Sequence, residues 1–514
     1  MLVMILRAVW LFFLAGLMLA TTTYRRDDTF VNGTVYFVDA DCYARMTRVE
    51  WVVHHPFHSI RSHDFENFPQ GIETHTTAPL DWLIALLAVA FAPFTPHALD
   101  MAGAWISPFL GLATLIALWA WSTRLRLPFR HAMLFLLAVS PILIQAFRLG
   151  RPDHQSLLLL LIAGGLAAEW TLWSRPGRLA ALAWGVSWGV ALWTSLYEPL
   201  IIFALLLPLR IGFLRKATFS RTWGLAWGVA LGIFGLSIAF DGWRADMPSP
   251  EIREYFANWS QTIEELGHLS PISPQFAGWL TWLAPALPFL LIWRYVQTRD
   301  SRILAILALL VATYALTCWQ IRWGCYLALV AAMTLPFALT AIPSRIAASA
   351  LFVICLYPVA QQWDAMLHPD ETAQAARADQ TLDNIRLHDV ARALISSDRT
   401  GILAPWWLSP AIAYWSGQPC VAGSSHESLP GIVDTARFYM STDPEQARQI
   451  LAARRVSYVV AYEPDRILQT SSSLLGQPVP THSMAETLYL DPHSAPPFLS
   501  LVFSNPYFRV YAVN

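Results

Sequence analysis

The sequence predicts a multi-span α-helical membrane domain followed by a mixed α/β domain. Three observations predict it. The 514 residues are 55% hydrophobic and only 13% charged, with a mean hydropathy of +0.43, whereas a soluble domain carries roughly a quarter charged residues. Long uncharged runs alternate with short basic clusters, as they do in chains that cross a bilayer repeatedly. Beyond position 362 the character changes, leaving a polar tail of about 150 residues, enough for one domain.

The first run, 3–20, starts beside Arg7 and is followed by Tyr24-Arg25-Arg26 without a convincing small-residue cleavage site. It reads as a retained span rather than a removed signal peptide. Further runs lie near 101–121, 131–147, 154–173, 179–195, 197–213, 223–240, 276–294, 303–319, 325–342 and 346–362. Each is long enough for a helix across roughly 30 Å, which makes about eleven spans or more. The 24 tryptophans suit interfacial anchoring.

Arg124, Arg126 and Arg130 fall in one connection; Arg175 and Arg178 in another; Arg215, Lys216 and Arg221 in a third; Arg294, Arg299 and Arg302 in a fourth; and Arg345 in a fifth. If 3–20 runs outward, all five land inside, as the basic-loop bias requires. That parity needs the short run Pro79–Ala92, interrupted by Asp81, to be interfacial or re-entrant. The expected organisation is then a membrane domain over 1–362, with outward loops at 21–100, 148–155 and 241–275, and a domain over 363–514 on the same side. In a bacterium that side is the periplasm and the membrane the inner one.

In the tail, Pro369–Ser397 predicts mostly helix. Ser441-Thr442-Asp443-Pro444-Glu445 predicts a helix start, and 456–460, 499–503 and 508–513 predict strands. A formal net charge of −1 offers no basic surface for nucleic acid. The five cysteines contain no C-x-x-C pair, so a cysteine zinc site is not expected. Cys42 and Cys420 fall on the same side; a disulfide between them is open, with separate thiols the expected state.

Acidic residues are scarce, so their placement is informative. Asp39 and Asp41, two apart beside the membrane, can bind a hard divalent cation or form a solvated turn. Asp153 sits at the lip of a helix, where it needs a metal or a partner such as Arg148 or Arg151. Glu265, in Thr262-Ile263-Glu264-Glu265, reads either as a surface segment or as a carboxylate delivered by a mobile loop. Arg322 interrupts an apolar region and wants an anion: a phosphate, whose oxygens suit its planar fork, or Asp153 or Glu198. Trp406 and Trp407 form either a rigid wall for a ligand or part of the tail's core. No G-x-S-x-G, H-E-x-x-H or phosphate-loop pattern is present.

These pieces occur in a family-specific order, and over nearly its whole length the chain resembles the catalytic subunit of oligosaccharyltransferases. Those are GT-C glycosyltransferases, including single-subunit bacterial and archaeal enzymes. Asp39 lies six residues before Arg45, as a first-loop aspartate does in that family. Asp153-His154-Gln155 resembles the D-H-H or D-N-E motif, with Gln155 departing from it. Thr262–Glu265 resembles T-I-x-E, and Arg322-Trp323-Gly324-Cys325-Tyr326 resembles R-F-x-x-Y. Trp406-Trp407 resembles the start of W-W-D-Y-G, whose last three residues are here Leu408-Ser409-Pro410.

The resemblance implies a fold of GT-C type. It implies transfer of a sugar or oligosaccharide from a polyprenyl (pyro)phosphate carrier to an acceptor, as in protein glycosylation. It assigns catalytic roles to Asp39, Asp41, Asp153 and Glu265, with Asp39, Asp153 and Glu265 as metal ligands. It gives lipid-phosphate binding to Arg322 and Tyr197 and acceptor binding to Trp406 and Trp407. Oxygen-only ligands favour Mg²⁺ or Mn²⁺. The expected partners are a lipid-linked sugar donor, membrane lipid and a protein or glycan acceptor. Leucine at 408 cannot accept the hydroxyl hydrogen bond that the family's aspartate takes from a sequon, so a lipid or surface-glycan acceptor stands as the alternative. A non-catalytic homologue and a lipid-glycan transporter are the other readings.

Overall fold

The computed structural model describes residues 2–56, 58–75, 78–218, 220–243 and 250–514. Positions 244–249 of the expected 241–275 loop, positions 57, 76 and 77 of the first loop, and the side chains of Arg215 and Lys216 lie outside the described residues.

Every apolar run folds as helix. Among the described residues seven helices are long and apolar enough to cross a membrane: Ile5–Thr22, Ala98–Arg124, His154–Ser174, Arg221–Asp241, Ser301–Trp319, Ile321–Ala341 and Arg345–Leu367. Helices Arg178–Thr194 and Tyr197–Thr218 join them in the bundle. The chain has the make-up of an integral membrane protein.

Three runs that read as single helices are broken, one of them, 346–362, at Leu356 between Arg345–Cys355 and Tyr357–Leu367. Run 131–147 divides into Arg130–Val139 and Pro141–Ala146. Proline 141 disfavours helical geometry at the preceding residue, and Ser140 is extended, with φ −65° and ψ 115°. Run 276–294 divides into Gln275–Leu280 and Leu287–Thr298, with a 3₁₀ turn at Ala284–Ala286 between them. The short run at 79–92 is the helix Ala78–Phe91, packed along Ala98–Arg124.

The tail carries a four-stranded sheet. Gly401–Leu403 pairs in parallel with Val456–Ala461, which pairs antiparallel with Arg509–Val513, which pairs antiparallel with Leu499–Ser504. The helix expected over 369–397 runs from Glu371 to Ala393, where the Asp370 carboxylate accepts from the Ala373 amide at 2.8 Å. The Asp443-Pro444 start opens Pro444–Ala453, with the Asp443 carboxylate accepting from the Glu445 amide at 2.9 Å. Strand Gly401–Leu403 went unread because three buried apolar residues are too few to show a period.

No break in packing marks position 362. One hydrophobic core contains Leu14 and Leu143 among the membrane helices and Ile402, Val459 and Tyr511 in the tail, and helix Tyr357–Leu367 runs through that position. The first loop is stitched to the tail as well. The Cys420 amide donates to the Phe65 carbonyl at 2.9 Å, the Phe68 amide to the Cys420 carbonyl at 3.1 Å, and Arg454 to Asn67 Oδ1 at 2.9 Å. All five cysteines are free, Cys42 and Cys420 among them, and both of these are buried.

Candidate active site

The site forms where the first loop, the 148–155 loop, the 260–267 segment and the 318–323 stretch meet at one end of the bundle. Asp39 precedes helix Ala40–His54, and its Oδ1 accepts from the Cys42 amide at 3.0 Å. A carboxylate is favoured there because the first helical amides lack partners and the helix end is partly positive. Capping leaves Oδ2 free, 3.8 Å from Arg151 Nε.

The 148–155 loop is pinned in place. Gly150 has φ +78°; its amide donates to the Ala104 carbonyl at 2.9 Å, and its carbonyl accepts from the Val38 amide at 3.0 Å. A β-carbon at Gly150 would stand 2.8 Å from Thr29 Oγ1, so only glycine lets the two loops approach this closely. Asp153 then begins helix His154–Ser174 in extended geometry. Its Oδ1 is 2.6 Å from His154 Nδ1, and its Oδ2 is 3.7 Å from Arg151 Nη2.

Glu265 lies on the 3₁₀ turn Glu264–Leu266. The Ile321 amide bonds the Gly267 carbonyl at 3.0 Å, and the Leu269 amide bonds the Cys318 carbonyl at 3.0 Å, which ties this segment to the stretch bearing Arg322. Arg151 Nη2 donates to Glu265 Oε1 at 2.7 Å, and Gln155 Nε2 to Oε2 at 3.4 Å.

The structure thus brings Asp39, Asp153 and Glu265 around one guanidinium. Arg151, read from sequence only as an optional partner for Asp153, is the hub. Burial opposes its charge, but Asp39, Glu265 and Asp153 hold its pKa well above the usual value. Burial alone would raise the Asp153 carboxyl; His154, then Arg151 and Arg45, outweigh it and hold the group well below the usual carboxylate range.

Asp41 behaves oppositely. It faces solvent at the recess, yet the surrounding protein desolvates it, and Asp39 and then Asp153 and Glu265 add repulsion. Its carboxyl is pushed up to about 7.

A second layer adjoins. Arg322 pairs with Glu198 through Nη2, its Cζ lies 5.4 Å from the Tyr197 ring centre, and His154 Nε2 is 3.9 Å from the same Glu198 oxygen. Tyr197 donates to Gln320 Oε1 at 3.2 Å. Glu198 is therefore one anionic partner of Arg322. Two buried polar atoms of the motif, Arg322 Nε and the Tyr326 hydroxyl, have no hydrogen-bond partner. Arg45, the other motif arginine, donates to Asp81 at 2.7 Å in a buried pair, which explains the lone acid in the apolar run at 79–92.

Trp406 and Trp407 meet edge to face at 5.7 Å, and Trp406 meets Trp259 of helix Pro250–Ser260 at 5.7 Å. Neither indole N–H has an acceptor. Leu408 is 7% exposed, packed into the core rather than facing a recess. Sequence reading missed His154 as a bridge and Asp81 as a partner. The signal for Asp81 was a charged residue standing alone in an apolar run, and for His154 its place beside Asp153 at a helix start.

The donor set fits a hard divalent cation in kind. Asp39, Asp41, Asp153 and Glu265 offer only oxygen, and burial, then repulsion from Asp39, raises the Asp41 carboxyl. The carboxylates gather around the Arg151 guanidinium rather than around a common point, so a cation would share the recess with that side chain.

No family model and no curated protein matches the sequence. Solved structures do match. The Archaeoglobus fulgidus oligosaccharyltransferase in complex with Zn and sulfate aligns at TM-score 0.69 and 15% identity, over 98% of this chain and 73% of that one. The Archaeoglobus fulgidus oligosaccharyltransferase AglB in complex with an inhibitory peptide and a dolichol-phosphate aligns at 0.70 and 15%, over 99% and 74%. ArnT from Cupriavidus metallidurans bound to undecaprenyl phosphate aligns at 0.51 and 14%, over 98% and 97%. Despite the low identity, this chain shares the fold of the archaeal oligosaccharyltransferase AglB and of ArnT, which are GT-C glycosyltransferases.

Proposed function

We propose that this protein is a membrane glycosyltransferase that moves a sugar or oligosaccharide from a polyprenyl phosphate or pyrophosphate carrier to an acceptor. The observation that carries this reading is a pair of unpartnered buried donors, Arg322 Nε and the Tyr326 hydroxyl, in the layer next to an acidic recess. Phosphate oxygens are the acceptors such donors want. The solved neighbours that bind dolichol-phosphate and undecaprenyl phosphate support it.

In this reading Arg322, backed by Glu198 and Tyr197, holds the carrier phosphate. Asp39, Asp153 and Glu265 hold Mg²⁺ or Mn²⁺, which when bound supplies Lewis-acid stabilisation of the leaving phosphate. Arg151 orients the three carboxylates. Asp41, poised near neutrality, accepts the proton of the acceptor nucleophile. Glu265 on its short turn completes the site once donor is bound. In the same reading, supported by the basic-loop bias, the tail, 363–514, lies on the periplasmic side of a bacterial inner membrane that the chain crosses about eleven times or more.

Purified protein incubated with a panel of lipid-linked sugars and Mn²⁺ releases the carrier on this account. Absence of release from every donor, with folded protein and all acceptor classes present, overturns it. A specific observation favours a non-protein acceptor: the buried Leu408 stands where the resemblance expects a hydroxyl-accepting aspartate. Transfer to a lipid or glycan acceptor and none to a sequon peptide is the expected pattern.

A further inference from the structure

Beside the acidic recess is a grouping of different chemistry. His75 of the first loop and His426 and Glu427 of the tail bring one ligand atom each to within 4.8 Å of one another. His75 Nδ1 lies 2.5 Å from Glu427 Oε1, and His426 Nδ1 lies 3.4 Å from Glu427 Oε2. The two imidazoles stand 4.6 Å apart, centre to centre.

A simple His–Glu pair accounts for only part of this. Glu427 Oε2 is buried and has no hydrogen-bond donor, which is costly unless something satisfies it. His75 also lines a cleft bounded by Trp193, Asp241 and Gly242.

We propose that His75, His426 and Glu427 form a second divalent-cation site, of zinc class, that fastens the first loop to the tail domain. Two nitrogens and a carboxylate oxygen suit zinc at about 2.0–2.2 Å, with a fourth position left for water or an anion. The all-oxygen recess of Asp39, Asp153 and Glu265 suits harder cations instead. Drawing three donors now spread over 4.8 Å onto one ion needs only small side-chain rotations. The ion would bridge segments remote in sequence, adding a cross-link to the Phe65–Cys420 strand-like pairing already present. The proposal does not depend on the sugar-transfer reading.

The test uses the full-length purified protein and zinc alone. The Asp153→Ala variant, with the acidic recess impaired, is expected to keep one tightly bound equivalent of zinc by elemental analysis. X-ray absorption on that sample should show imidazole scattering. His75→Ala and His426→Gln should each lose that equivalent, and zinc should no longer slow proteolysis between the first loop and the tail. An all-oxygen shell in the Asp153→Ala sample, or no retained zinc, overturns the proposal. So does full zinc retention in both histidine variants. The absorption measurement leaves the site intact, so a misfolded histidine variant does not blunt the test, and carrier release in the transfer assay reports separately on the acidic recess.

Discussion

Two charged clusters in this molecule are built on opposite principles. In the bundle, Glu169 and Arg210 are both 0% exposed and locked in a two-pronged pair, Nε to Oε1 at 2.5 Å and Nη2 to Oε2 at 2.6 Å. Trp184, Phe203, Trp223 and Trp227 ring the guanidinium within 5.9 Å. Charge is matched one to one. At the end of the bundle, three carboxylates, Asp39, Asp153 and Glu265, face Arg151 and His154 at distances spread from 2.6 to 3.8 Å, and burial followed by repulsion from Asp39 pushes Asp41 up to about 7. Matched charge in apolar surroundings is a structural device. Unmatched charge that solvent can reach is capacity for a further cation or proton. The Glu169–Arg210 pair, balanced and walled by aromatics, also speaks against a charge-lined transport pathway.

Removing one member breaks each cluster in a different way. Glu169→Ala strands Arg210 among aromatics and should cost about 3–5 kcal/mol of stability, read by thermal unfolding in detergent, while a Glu169→Met, Arg210→Met double variant recovers most of it. Glu265→Ala should leave unfolding almost unchanged and Asp153→Ala should lower stability by less than Glu169→Ala does, but both should reduce sugar transfer on the order of a hundredfold or more, read as carrier release. Arg322→Lys keeps the charge but loses the planar fork, so KM for the lipid donor should rise roughly tenfold with a smaller change in kcat.

The smallest effect concerns Asp41. Its folded pKa of about 7 lies above the ordinary 3.8. The folded state therefore holds the extra proton between those values, and stability falls as pH rises from about 4 to 7. Asp41→Asn should show a melting temperature that gains on the parent protein across that window and levels off above it. The same melting-temperature gap in both variants at pH 4 and pH 8 would contradict the assignment.

Much of this was legible in the sequence, for identifiable reasons. Long apolar runs give helices because nothing else satisfies the backbone in lipid. Asp39, Asp153, Glu265 and Arg322 stood out because charge is rare here and each interrupts apolar sequence. The breaks at Ser140-Pro141 and within 275–298 were less visible, since hydropathy averages over a proline kink. Arg151 was noticed only as one of two partners for Asp153, because its hub position depends on three segments remote in sequence meeting at one point. His75, His426 and Glu427 carried no motif; 350 and more positions separate the first from the others, and only the fold brings them together. The Glu169–Arg210 pair was hidden likewise, because its members lie on helices His154–Ser174 and Tyr197–Thr218 with Arg178–Thr194 between them in sequence.

The account rests on the claim that the unbalanced recess holds a divalent cation and the balanced pair does not. Mn²⁺ titration of purified protein by electron paramagnetic resonance tests this most directly. Parent protein and the Glu169→Met, Arg210→Met variant should bind one Mn²⁺ with similar affinity, and Asp153→Ala should lose it. Undiminished Mn²⁺ binding by Asp153→Ala and Glu265→Ala would contradict the account.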